Sequence, residues 1–148
     1  MLKLTPPFWC AIYLVVCGAV SAPFPWRGIV DLRIVWAGVA LLIAGAAMAV
    51  SAFLLFRREN TEIDPTSESN RVLVIRGPYR LTRNPMYLGL VLMSAGIAFV
   101  VGSLPMFAAP LLVLATTDRV HIPFEEAKMR RQFGEQYDRY TREIRRWV

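Results

Sequence analysis

Along most of this chain apolar residues do not alternate with polar ones; they run together. Residues 34–56 carry no charge over 23 positions and residues 86–117 none over 32, against the roughly 20 apolar residues that span a bilayer as a helix. The first run predicts one crossing. The second is long enough to enter and return, and Gly102, Ser103 and Pro105 predict the turn of that hairpin, with helices over residues 86–101 and 105–117. The return limb is short and spans only if it continues through Asp118 and Arg119 toward His121. A further apolar segment, residues 4–22, follows Lys3. It ends in the small residues Val20, Ser21 and Ala22, as a secretory signal would, but Pro23 directly after them is unfavourable for cleavage, so a retained first helix is expected. The pattern predicts an all-α integral membrane protein with about four transmembrane helices, the last two forming a C-terminal hairpin.

Beyond Arg119 the period changes. Met129, Phe133, Tyr137, Tyr140, Ile144 and Trp147 recur at spacings of four, four, three, four and three, with Lys128 and six arginines on the remaining surface. This predicts an amphipathic cytoplasmic helix, which either lies on the headgroups with its aromatic face down or folds over the membrane core to close a site. Within residues 34–56, the second predicted helix, Ala40, Ala44, Ala47 and Ser51 make a stripe of small residues suited to close helix packing. The whole chain reads as one membrane domain: two packing helices in residues 1–56, a cytoplasmic loop in 57–85, and the hairpin with its tail in 86–148.

Charge adds orientation. Of 17 Lys and Arg residues, Lys3 precedes the first helix, six lie in residues 57–83 and eight from Arg119 onward, leaving Arg27 and Arg33 between the first two helices. By the positive-inside rule both termini and the central loop are cytoplasmic. The net charge of +6 needs no nucleic acid, because basic flanks facing anionic lipid account for it. A hydrophobic fraction of 55% and a positive mean hydropathy exclude a soluble domain of this size. The two cysteines, Cys10 and Cys17, are seven apart on one helix, too far to bridge each other, and no Cys and His spacing suits a metal.

Candidate chemistry collects in one stretch, Arg76-Gly77-Pro78-Tyr79-Arg80-Leu81-Thr82-Arg83-Asn84-Pro85-Met86-Tyr87-Leu88-Gly89. Neither a plain membrane helix nor a solvated loop needs this mixture. Pro78 and Pro85 fix their own φ and push Gly77 and Asn84 away from α geometry, which makes a stiff, bent entry placing Tyr79, Arg80 and Arg83 at a defined depth. Past the hairpin, Glu125 and Glu126 stand at the membrane end of the tail and need cationic or hydrogen-bonding partners, for which Arg80, Arg83 and Arg119 are at hand. On the acids alone, ion pairing or helix capping is as good an account as ligand binding.

Taken in order, Gly77-Pro78-Tyr79-Arg80, Arg83-Asn84-Pro85-Met86-Tyr87-Leu88-Gly89, a hydrophobic hairpin and Glu125-Glu126 resemble the isoprenylcysteine carboxyl methyltransferase family and its phospholipid methyltransferase relatives. Phe133-Gly134-Glu135-Gln136-Tyr137, Tyr140 and Arg146-Trp147 look like that family's last segment. Asn84 stands where the family pattern has histidine; it keeps a donor and an acceptor but loses ring stacking and titration. The resemblance implies methyl transfer from S-adenosylmethionine to a lipophilic small-molecule or lipid-linked acceptor at the membrane face. Tyr79, Arg83, Asn84, Pro85, Tyr87, Gly89, His121, Glu125 and Glu126 would hold the cofactor, and Arg80 or Arg83 would orient an acceptor carboxylate. No two of the nine glycines are two apart, so a G-x-G dinucleotide loop is unavailable and the cofactor must be held in another way. A membrane reductase of the sterol reductase type and a non-catalytic subunit of the same fold remain alternatives at this stage.

Overall fold

The computed structural model describes residues 5–23, 31–58 and 72–148, and every regular element among them is helical. Helix α1 is Pro6–Ser21 and α2 is Val35–Arg58. A 3-10 turn, Gly77–Arg80, precedes α3, Pro85–Val101. The return limb begins with a 3-10 turn, Leu104–Phe107, and continues as α4, Ala108–Thr116. A π turn, Thr117–His121, joins α4 to α5, Ile122–Phe133, and α6 is Glu135–Glu143. The connection between the first two predicted helices and the first half of the expected cytoplasmic loop fall mostly on residues 24–30 and 59–71, outside the described residues.

Prolines open α1 and α3 at positions where a helix has no use for the missing N–H. Between α3 and the return limb Gly102 is left-handed (φ 71°) and caps α3 by donating its N–H to Ala98 O at 2.8 Å. Helical backbone then runs on through the π turn to Phe133, so the return limb does continue past Asp118 and Arg119 as its length required. Thr117, fully enclosed, donates its hydroxyl back to Val113 O at 2.8 Å and so serves the turn where the helix changes pitch.

The tightest packing is between α2 and α3. A Cβ placed on Gly45 would lie 2.7 Å from Gly89 O, and one on Gly38 would lie 2.7 Å from Gly96 O. Backbones approach this closely only where side chains are absent. The predicted packing stripe is therefore corrected: Ala40, Ala44, Ala47 and Ser51 are all exposed, while Gly38, Gly45 and Ala52 are buried. The two rows sit on opposite sides of the helix, since a shift of two residues turns the face by about 200°. Helix α1 packs on α4 and on the turn before it, with Cys17, Ala98, Met106 and Ala109 in the shared core.

The surface of this bundle is apolar where a soluble protein would be polar. Trp36 is 79% exposed, Val15 70%, and Ile43 and Leu111 66% each. Among the described residues one helix, the 24-residue α2, is by itself long and apolar enough to cross a membrane; α1 and α3 are apolar but shorter, at 16 and 17 residues. Helix length alone therefore carries one of the four expected spans. The tail departs further from expectation. Instead of one amphipathic helix, it breaks at Gly134 (φ 49°) into α5 and α6, and residues 144–147 return to the central motif.

Candidate functional site

The motif folds as the prolines require. Arg76 O accepts from Tyr79 N at 3.2 Å and Pro78 O from Leu81 N at 3.1 Å, which winds Gly77–Arg80 into its single turn. Tyr79 is thereby buried against Ala52, Val74 and the Phe56 ring, with 5.4 Å between ring centroids. Its carbonyl accepts from Tyr140 Oη at 2.7 Å, tying the motif to α6. Burial, and next the nearby Glu125 charge, push the Tyr79 phenol up from its ordinary value, so it stays protonated.

Three successive motif residues then fasten to the returning segment. Thr82, fully buried, donates its hydroxyl to Arg146 O at 2.8 Å; Arg83 N donates to Arg145 O at 3.0 Å; Asn84 Nδ2 donates to Arg146 O at 3.1 Å. The Arg146 side chain turns back into the site. Its Nε and Nη2 reach the two oxygens of Glu126 at 3.2 and 2.8 Å, and its Nη1 lies 3.2 Å from Asp118 Oδ1, which also accepts from Trp147 Nε1 at 2.9 Å. The Glu126 carboxylate raises the Arg146 guanidinium above its already high range. Arg83 Nη1 lies 3.1 Å from Glu126 Oε1 as an ion pair, but the Nε–H of Arg83 is buried and finds no hydrogen-bond partner among the described residues.

The adjacent acids have different fates, because neighbours on a helix point about 100° apart. Glu126 is 7% exposed and held by two guanidiniums. Glu125, half-buried, accepts from the Tyr87 hydroxyl and lines a cavity. Burial pushes the Glu125 carboxyl up to about 7, a rise the Tyr87 hydrogen bond and the Lys128 charge only partly offset.

That cavity measures about 720 Å³, within the range of about 300–1,000 Å³ that small-molecule sites occupy. Its polar wall includes Tyr79, Arg83, Asn84, Tyr87, Glu125 and Glu126, with Lys128 and the tail tyrosines Tyr137 and Tyr140; Ala49, Val50, Phe53 and Phe56 of α2, with Pro6 and Pro7 of α1, contribute to the apolar one. Seven of the ten expected site residues line it, Pro85 being the seventh. Three do not. Arg80 is exposed at the end of the 3-10 turn, outside the cavity. Gly89 faces away, against Gly45 of α2, where its lack of a side chain serves packing. His121 is 4% exposed, with its ring 6.4 Å from that of Tyr87, but it does not reach the cavity. Among the described residues neither Arg80 nor Arg119 pairs with the acids; Glu126 pairs with Arg146 and Arg83, and Glu125 with the Tyr87 hydroxyl.

Sequence reading missed Thr82, Asp118 and Arg146 as site residues. Arg146 is one arginine among eight basic residues in the last stretch, and no periodicity distinguishes it. The apolar wall was equally hidden: Phe53 and Phe56 look like lipid-facing residues until α1 and residues 72–74 are seen beside them.

Compared with known proteins, residues 33–136 match the family model described as phospholipid methyltransferase. The chain is also similar to a "Probable protein-S-isoprenylcysteine O-methyltransferase" of Oryza sativa, at 27% identity over 110 residues covering 74% of this chain and 58% of that protein. A "Protein-S-isoprenylcysteine O-methyltransferase B" of Arabidopsis thaliana is 28% identical over 114 residues, 72% of this chain and 55% of the relative. The chain thus spans little more than half the length of the curated relatives it matches. No solved structure matches it. The matched span runs from before α2 through the motif and the acidic pair into α6, the elements that wall most of the cavity, and the chain belongs to the phospholipid methyltransferase family.

Proposed function

We propose that this protein transfers a methyl group from S-adenosylmethionine to a lipophilic acceptor, isoprenylcysteine-carboxylate-like or lipid-like, at the membrane face. The observation that carries the reading is a cavity in which one charged wall faces one apolar wall. Family membership and the names of the relatives support a methyltransferase acting on such an acceptor.

The donor set fits the cofactor. An amino-acid carboxylate needs buried N–H groups, and Arg83 has a buried Nε–H without a partner. A ribose hydroxyl or an ammonium needs an acceptor, and Glu125 offers a cavity-facing carboxylate with one hydrogen bond from Tyr87. When bound, the cofactor supplies an electrophilic methyl on a sulfonium, whose transfer depends on position more than on a strong acid or base. The chain's own part is to hold both reactants and exclude water. Arg83 and Glu125 fix the polar ligand, while Phe53, Phe56 and Val50 offer the acceptor's apolar portion a wall continuous with the outer face of α2. Of the two arginines expected to orient an acceptor carboxylate, Arg80 lies outside the cavity, and Arg83, which lines it, is assigned to the cofactor.

The membrane reading extends to about four spans, α1, α2, α3 and the limb through α4, with both termini and the site cytoplasmic. It rests on the apolar outer surface of the bundle and on the distribution of basic residues. The deciding experiment incubates purified protein with methyl-labelled S-adenosylmethionine and a lipid extract. A labelled product partitioning with lipids is the expected outcome. Failure to bind the cofactor and to label any lipid overturns the reading.

A further inference from the structure

Glu126 receives two guanidiniums but does not treat them alike. Arg146 makes hydrogen bonds to both of its oxygens, at 3.2 and 2.8 Å, whereas Arg83 approaches one oxygen at 3.1 Å without hydrogen-bond geometry. A carboxylate paired with a single guanidinium takes it as a fork, two parallel N–H bonds. With Arg146 occupying Glu126 in that manner, Arg83 stays beside the acid for charge balance and next to the Tyr137 side chain, while its Nε–H is unspent. The backbone reinforces this. Residues 82, 83 and 84 each bond to the carbonyl of Arg145 or Arg146, so the same segment fixes where Arg83 starts and what its head meets. Asp118 then anchors the strap from the other side by accepting from both Arg146 and Trp147. None of residues 144–147 falls within the span matched by the family model, which ends at residue 136.

We propose that residues 144–147 are a working strap of the site, in which Arg146 is a positioning residue: by taking up Glu126 it leaves the Arg83 guanidinium available for the carboxylate of the cofactor's amino-acid portion. Asn84, where the family pattern has histidine, serves this strap through its bond to Arg146 O. The inference rests on the cofactor reading above and narrows it to one ligand group. Without Arg146, Glu126 would fork onto Arg83 and withdraw it from the ligand.

Two ligands that differ in this group test the idea. S-Adenosylhomocysteine carries the amino-acid carboxylate; 5′-methylthioadenosine has the same nucleoside and thioether but lacks the amino-acid end, carboxylate and ammonium together, and because Arg146→Ala leaves Glu125 in place, a selective loss in the variant reports the carboxylate. Affinities of both are measured by calorimetry on the wild-type protein and on Arg146→Ala, with Arg146→Lys as the variant that keeps charge but loses the fork should alanine fail to fold. The expected result is a loss of about tenfold or more for S-adenosylhomocysteine, the scale of a hydrogen bond to a charged group, with 5′-methylthioadenosine changed less than about twofold. Asn84→Leu should show the same selective loss in weaker form, and Asn84→His, which retains a donor, should restore it. If both ligands weaken together, the segment only holds the fold and the proposal fails. It fails equally if neither weakens, since Arg83 then meets some other group. A wild-type protein that binds neither ligand is a separate result, refuting the cofactor reading itself.

Discussion

Replacing Glu126 by alanine should destabilise the protein far more than replacing its neighbour Glu125, although the two look equivalent in sequence. The Glu126 side chain is 9% exposed and the Arg83 side chain 13%, so removing the acid strands a guanidinium in a nearly dry place. Breaking a buried pair by deleting one partner costs about 3–5 kcal/mol, most of it the penalty of the unpaired charge. Arg146, one-third exposed and still held by Asp118, adds little to that figure. The Arg130–Asp138 pair provides an internal contrast, for with both side chains 51% exposed it is worth about 0–1 kcal/mol. Glu125 has no guanidinium to strand, and losing it relieves a carboxylate held against burial. The assay is thermal unfolding of the apo protein in one detergent, with Glu126→Ala, Glu125→Ala and Asp138→Ala side by side. A double variant, Arg83→Leu with Glu126→Leu, should recover much of the loss by removing the charge along with its partner. If Glu126→Ala melts with the wild type, or if Glu125→Ala melts earliest, the assignment of Glu126 to structure and Glu125 to the cavity is wrong.

The Glu125 carboxyl, raised to about 7 in the fold against an ordinary value near 4.5, gives a pH signature. Stability attached to this group is fully present below the unfolded value and is lost as pH rises through about 7; apo unfolding followed from pH 5 to pH 8 should show the decline, and Glu125→Gln should flatten it. Affinity for S-adenosylmethionine, a cation, should move the opposite way, strengthening through the same window. At the helix crossing, Gly89→Ala puts a Cβ 2.7 Å from Gly45 O, an overpacking worth about 1–3 kcal/mol; a variant as stable as the wild type would show that α2 and α3 are not in such close contact. If α2 crosses the bilayer, cysteines placed at Asp31 and at Arg58 should react with an impermeant reagent from opposite sides, and labelling of both from one side would remove this span.

What the sequence determined by itself was the class of environment and the order of the elements. Uncharged runs this long cannot be hidden in a core of this size, so helices with apolar outer faces are expected from composition alone. Gly102 and Pro105 mark the hairpin turn within a residue of where it occurs, because turn chemistry is local. The motif from Arg76 to Tyr87 was legible for the same reason, as its prolines act on adjacent residues. Tertiary structure decided everything that depends on which side of a helix faces which neighbour. Two rows of small residues on α2 were equally eligible for packing, and only the placement of Gly89 and Gly96 opposite Gly38 and Gly45 selected one. Glu125 and Glu126 both line the cavity, but one position and about 100° of rotation are enough to give the first to the Tyr87 hydroxyl and the second to an ion cluster. The position of Arg146 was least legible of all. Its role depends on a single left-handed residue, Gly134, that bends the tail back and brings residue 146 to residues 82, 84 and 126, and long-range contacts of that kind leave no period in a sequence.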